Sequence, residues 1–215
     1  MQGVEQMMLA ETTLSFLEED CLRFFKSEGA AVFQQTEARF QELLRGADEA
    51  DSAAIQEHLR RKLFPAMAFY QTLRKRGISL EKALEYVRRE TRRAAESKRE
   101  RMRNLAGFPF AYRLYRMTVK RYMKKFFPEE GWRTEWVQRN GQEIHFNLHR
   151  CIYWDLTNAH GCPELCRVYC ENDDIVFSGL LPKIRFERSG TLGGGAQYCD
   201  FHFLNTACEE RKEIQ

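Results

Sequence analysis

Residues 131–154, GWRTEWVQRNGQEIHFNLHRCIYW, decide the fold class. Two runs of alternating apolar and polar residues flank Asn140-Gly141, a pair that favours the tight turn of a β-hairpin. The alternation puts Ile144, Phe146 and Leu148 on one strand face and His145, Asn147, His149 and Cys151 on the other, so an imidazole and a thiol are expected to project together. Further on, LPKIRFER (181–188) and QYCDFHFL (197–204) read as two more strands, and PELCRVYCE (163–171) as a helix with Pro163 in its first turn. An antiparallel sheet packed with helices follows for this part of the chain.

Before Pro128 the pattern is helical. Good helix formers dominate 5–46 and 52–126, with apolar residues at helical spacing such as Leu14, Leu17, Cys21 and Phe24, then Leu59, Leu63, Ala66 and Tyr70. Breaks are expected at Gly46-Ala47-Asp48, at Gly77-Ile78-Ser79 with Ser79 as a cap, and at Gly107-Phe108-Pro109. The whole reads as an α+β protein: a helical region over 1–127, expected to dimerise, and an α+β domain over 128–208. Charge is segregated, with 21 Lys/Arg against 5 Asp/Glu over 60–125 and 4 against 12 over 1–59. No nucleic-acid motif accompanies the basic stretch, so it reads as a solvated face balanced by the acidic segment or by a second subunit, not as a nucleic-acid or membrane surface. No run of about 18 apolar residues and no basic, apolar leader occur, which points to the cytoplasm.

Seven cysteines, an odd number with four of them in 151–170, suit reduced thiols better than a disulfide framework. Cys162, Cys166 and Cys170 lie four apart and would stack on one helical stripe. They are either buried apolar groups or half of a zinc site whose other ligands would come from Cys151, Cys199 or a histidine. Asp173 and Asp174 follow directly. Arg188 falls in phase with Ile184 and Phe186 on the apolar strand face, where a guanidinium needs a carboxylate: Asp173, Asp174, Asp200, or that of a ligand. Gly193-Gly194-Gly195 have no Lys-Ser/Thr after them, so they read as a close-approach turn, not a phosphate loop.

The order RCIYWDLTNAHGCPELCRVYCENDD, then FERSGTLGGGAQYCDFHF, resembles the L-2-amino-thiazoline-4-carboxylic acid hydrolase family over about residues 131–204. Cys151, the Gly161-Cys162-Pro163-Glu164-Leu165 helix start, Cys170-x-x-Asp173, Arg188-x-x-Thr191 and the turn into Cys199-Asp200-Phe201 stand in the family's order. Gly194, Gln197 and Tyr198 depart from it, in places where members carry an Arg, an acidic residue and a further Cys. The resemblance implies hydrolytic opening of a small cyclic amidine carrying a carboxylate, without cofactor. It implies Cys151 or Cys170 as nucleophile, His149 as a nearby base, Asp173 or Asp174 against the amidinium, and Arg188, Thr191, Cys199 and Asp200 lining the pocket. A more distant likeness, to 4-vinyl reductase-type domains, implies a non-catalytic ligand-binding or sensor module. Arg188 and Thr191 stand where zinc-holding members of that group carry an acid and a cysteine, so no metal is expected.

Overall fold

The computed structural model describes residues 7–48 and 50–208. The chain forms two compact units that divide at Thr91/Arg92, inside the long helix α5 (Leu80–Ala106).

The first unit is helical: α1 (Leu17–Phe25), α2 (Gly29–Arg45), α3 (Ala53–His58), α4 (Phe64–Lys75) and the start of α5. Its core gathers Leu17, Phe40, Leu63, Met67, Phe69, Leu73 and Val87, at the helical spacing the sequence displays. The expected breaks after Arg45 and around Ser79 are present, and Ser79 Oγ accepts from Lys82 N–H at 3.3 Å. A further break separates α1 from α2, where Lys26 takes φ 50°. Between α3 and α4 a π turn, Leu59–Leu63, absorbs Pro65, which has no N–H for the Arg61 carbonyl. That carbonyl accepts instead from the Thr13 N–H at 3.0 Å and its hydroxyl at 2.9 Å.

The second unit contains the rest of α5, α6 (Ala111–Phe126), and a four-stranded antiparallel sheet of order β1-β2-β4-β3, with β1 (Thr134–Arg139), β2 (Glu143–Leu148), β3 (Ile184–Glu187) and β4 (Cys199–Asn205). The first hairpin is as expected, although it pivots on Gly141-Gln142: Asn140 N–H reaches Glu143 O, and Asn140 Oδ1 accepts from Gln142 N–H and Glu143 N–H. Ile144 pairs with Phe203, Phe146 with Phe201 and Leu148 with Cys199, which makes one face continuously apolar. Phe177 covers it, its ring 4.8 Å from Phe186 and 5.0 Å from Phe203, and Tyr115 of α6 reaches Phe203 at 5.1 Å. Each fully buried ring here contributes roughly 1.5–3 kcal/mol. The opposite face is polar, with His145 against His202 and Asn147 against Asp200.

Two helices differ from the sequence reading. α8 runs from Leu165 to Ser178 instead of 163–171, because Ile175, Val176 and Phe177 continue its apolar stripe beyond the acidic residues. Asp173 and Asp174 therefore lie on the helix, and Pro163 precedes it. α7 (Ile152–Ala159) was not expected: β2 ends at Leu148, so strand alternation does not extend to Cys151, which becomes the residue that starts α7.

Candidate active site

Helix α8 carries the chemistry on one stripe. Cys166 and Cys170 are one turn apart, and Asp173, Asp174 and Phe177 continue the same side three, four and seven residues after Cys170. Cys151 approaches from the start of α7, near the N–H groups of Tyr153 and Trp154. The Cys166 thiol lies in hydrogen-bonding reach of both Cys151 and Cys170. That sharing keeps Cys166 firmly protonated and draws Cys151 and Cys170 below the ordinary thiol range. For Cys170 the Thr191 hydroxyl and the Arg188 charge help, against burial and the charge of Asp173.

The triple-glycine turn is shaped by these sulfurs. A Cβ on Gly193 would stand 3.0 Å from Cys166 Sγ and 3.3 Å from Cys170 Sγ, so a side chain here would crowd both sulfurs and glycine lets this loop lie close on α8. Arg167 Nε fastens it by donating to Gly193 O at 3.0 Å, and Thr191 Oγ1 caps it by accepting from Gly194 N–H at 2.9 Å.

Arg188 sits behind the thiols with 7% of its side chain exposed. Its Nη2 donates to Asp174 Oδ1 and to the Cys170 carbonyl, both at 2.7 Å, and its Nη1 is 3.5 Å from Asp173 Oδ2. The guanidinium lies 5.6 and 5.5 Å from the ring centres of Phe186 and Phe201. Asp173 keeps 43% of its side chain accessible, yet burial pushes its carboxyl up to about 6 against the pull of Arg188 and Lys98. Asp173 and the thiols beside α8 thus form one cluster, with Asp173 its water-accessible member. Tyr115, Tyr122 and Tyr153 each have their phenol pushed up, first by burial and also by the charge of Asp173. An aromatic arc links that side to α8: Phe127–Trp132 at 5.1 Å, Trp132–Tyr153 at 6.2 Å and Tyr153–Tyr169 at 4.6 Å between ring centres. A groove of about 390 Å³ on the far side of Arg188, lined by Asp174, Phe177, Ser178, Leu181, Arg185, Phe186 and Arg188, holds no thiol. Asp173 is not among its lining residues either.

Of the residues singled out in the sequence, Cys151, Cys170, Asp173, Asp174, Arg188, Thr191 and Cys199 come together. Cys199 is buried, accepts from Leu192 N–H at 3.1 Å and has its thiol pushed up to about 12 by burial. Two others lie elsewhere. Asp200 points to the polar sheet face and ties the loop, accepting from the Ser189 N–H and hydroxyl and from Gly190 N–H at 2.8–3.0 Å; although burial opposes it, this holds its carboxyl below the usual range. His149 is also on that face, just past the end of β2, 2.7 Å from Glu135 Oε2 and beside the Tyr198 ring. Tyr153, Tyr169 and Lys98 were given no role from the sequence, Cys166 was read only as a buried thiol or half of a zinc site, and Gly193 only as part of a close turn. For Cys166 the four-residue cysteine spacing was a signal, whereas nothing local announces that the charge of Lys98 on α5 acts on Asp173. Among the described residues no three or more His, Cys, Asp or Glu side chains are arranged to hold a metal ion, and no helix is long and apolar enough to cross a membrane.

No curated protein and no solved structure matches the chain. One family model does, that of L-2-amino-thiazoline-4-carboxylic acid hydrolase, over residues 56–203. That span exceeds half of the 215 residues and takes in every thiol and carboxylate of the cluster, and the chain therefore belongs to the L-2-amino-thiazoline-4-carboxylic acid hydrolase family.

Proposed function

We propose that this chain opens a small cyclic amidine that carries a carboxylate, of the 2-aminothiazoline-4-carboxylate kind, by adding one water to give the N-carbamoyl amino thiol. The observation that carries the reading is the pairing on one side of α8: Cys170, a thiol drawn below the ordinary range by its neighbours, stands one turn before Asp173, a carboxyl group that burial pushes up to about 6. Cys170 Sγ attacks the amidine carbon, the ring carbon–sulfur bond breaks, and Asp173 gives its proton to the departing sulfur. Water then attacks the same carbon. Asp173, now a carboxylate, passes one water proton to the amidine nitrogen and keeps the other as the carbonyl forms and Cys170 leaves as thiolate. Cys166 holds the nucleophile in its reactive form, Arg188 and Asp174 fix its backbone, and Thr191 hydrogen-bonds its sulfur.

Incubation with 2-aminothiazoline-4-carboxylate and mass detection of a product heavier by one water tests the activity. Cys170→Ser is expected to lose at least about 1,000-fold in kcat with binding retained, and Asp173→Asn to remove the inflection near pH 6 from the rate profile. Tight binding of such rings with no product from any of them would sink the hydrolase reading and favour the non-catalytic sensor.

A further inference from the structure

Resting on the reading of Cys170 as nucleophile, we infer that Asp200, on the sheet face away from the thiols, is a positioning residue of the reaction: it holds the loop 189–195 so that its turn lies against the sulfurs of Cys170 and Cys166. β4 straddles that loop with two consecutive side chains. Cys199 faces the apolar side, where its sulfur accepts from Leu192 N–H at 3.1 Å. Asp200 faces the other side and closes on the start of the loop. Its Oδ1 accepts from Ser189 N–H at 3.0 Å and Gly190 N–H at 2.8 Å, and its Oδ2 from Ser189 N–H at 2.8 Å and the Ser189 hydroxyl at 3.0 Å. A carboxylate accepting from two successive N–H groups and a hydroxyl is a charge-assisted clamp, stronger than its neutral counterpart. It acts at a distance from the chemistry, since it borders a separate hollow of about 530 Å³ lined by Glu187, Arg188, Ser189 and His202, with no thiol in it.

Beyond that clamp the loop is committed to α8. Gly193 comes so close that a Cβ there would stand 3.0 Å from Cys166 Sγ and 3.3 Å from Cys170 Sγ. Arg167, next to Cys166 on α8, donates from Nε to Gly193 O at 3.0 Å. The two limbs of the loop also press on each other, since a Cβ on Gly190 would stand 2.8 Å from Ala196 Cβ. Thr191 is the residue between the two points that β4 holds, Gly190 and Leu192. Its hydroxyl accepts from Gly194 N–H at 2.9 Å and hydrogen-bonds Cys170. With both of its neighbours pinned, that hydroxyl is kept at the sulfur without a search through other loop conformations. Releasing residues 189 and 190 frees one end of the loop, removes a hydrogen bond that favours the Cys170 thiolate, and so raises the pKa of that thiol. The sign separates this role from plain electrostatics: deleting the negative charge of Asp200 would by itself favour the Cys170 anion and lower its pKa.

The test is the pH–rate profile of iodoacetamide alkylation at Cys170, followed by peptide mapping, in which the inflection reports the thiol pKa and the plateau its access. Asp200→Ala, Asp200→Asn, Thr191→Val and the double variant Asp200→Ala with Thr191→Val are compared with the parent. Thermal unfolding and initial rates on 2-aminothiazoline-4-carboxylate are measured alongside. Asp200→Ala is expected to raise the inflection by about one pH unit, and to lower kcat about tenfold with KM within about twofold. Asp200→Asn, which keeps one acceptor oxygen, is expected to shift it less in the same direction, and carries the test if Asp200→Ala does not fold. Because Asp200 acts through Thr191, the double variant is expected to shift no further than the larger of its two single variants. An inflection that stays in place or falls in the folded Asp200 variants, or shifts that simply add in the double variant, overturns the inference and leaves Asp200 a structural tie. If the inflections move as expected but the parent hydrolyses no such ring, the hydrolase reading fails while Asp200 still positions the loop on the Cys170 sulfur.

Discussion

Cys166 is buried to 1% exposure, yet it sets the charge of two neighbouring sulfurs. A thiol that donates to one sulfur and is approached by another favours an anion at its partners, and a hydrogen bond to a charged group is worth about 1.5–3 kcal/mol. Replacing it tests the arrangement without touching the nucleophile. Cys166→Ala is expected to raise the pKa of Cys170 and slow its alkylation by iodoacetamide about tenfold at pH values below that pKa, measured as a pH–rate profile with peptide mapping. Unchanged alkylation would remove Cys166 from the mechanism. The cysteine spacing makes this stripe legible in the sequence, since a helix of any packing stacks residues four apart. Which sulfur is acid and which is anion was not legible, because that depends on Thr191, Arg188 and the start of α7, all distant along the chain.

Among the elements, α1 and α5 meet through a pair of carboxyl groups. Glu90 is 0% exposed and Asp20 4%. Arg89 Nε donates to Glu90 Oε1 at 3.1 Å and Arg23 Nη2 to Asp20 Oδ1 at 2.6 Å. Burial first, then the hydrogen bond and charge of Asp20, push the Glu90 carboxyl up even though Arg89 pulls it down. A carboxyl whose folded pKa lies above its unfolded value contributes stability that is complete at low pH and is lost as pH rises through the folded pKa. Glu90→Gln, which cannot ionise, is therefore expected to unfold with less pH dependence between pH 5 and 8 and to gain about 1–2 kcal/mol on the parent at pH 8, measured by urea unfolding. Equal slopes for the two proteins would show that Glu90 ionises freely. Element boundaries were legible where Gly, Ser or Pro punctuate the chain, as at Gly46, Ser79 and Gly107. They were not legible at α8, where four polar residues from Glu171 to Asp174 look like an exit from the helix. Only the packing of Phe177 on Phe186 and Phe203 shows why the helix continues.

At the scale of the molecule, α6 leaves Phe110 75%, Met117 65% and Leu114 41% exposed, one and two turns apart on one side. We propose that a second copy covers this side, as the helical region's excess of apolar residues led us to expect. Met117→Glu should then convert a dimer to a monomer in sedimentation velocity at micromolar concentration; a parent that sediments as a monomer removes the proposal. By itself the sequence determined the fold class and the family: period-two and period-3.6 patterns select strand or helix locally, and the family's order of Cys, Asp, Arg and Thr is a property of the chain. Only the tertiary structure decided which of those residues share a space. Asp200 and His149 lie one position out of phase with Phe201 and Leu148 on paired strands, so a pleat of the sheet carries them to the opposite face. Arg99 is 80 residues from Gly179 along the chain and meets it because the glycine lets α5 come within contact of the end of α8.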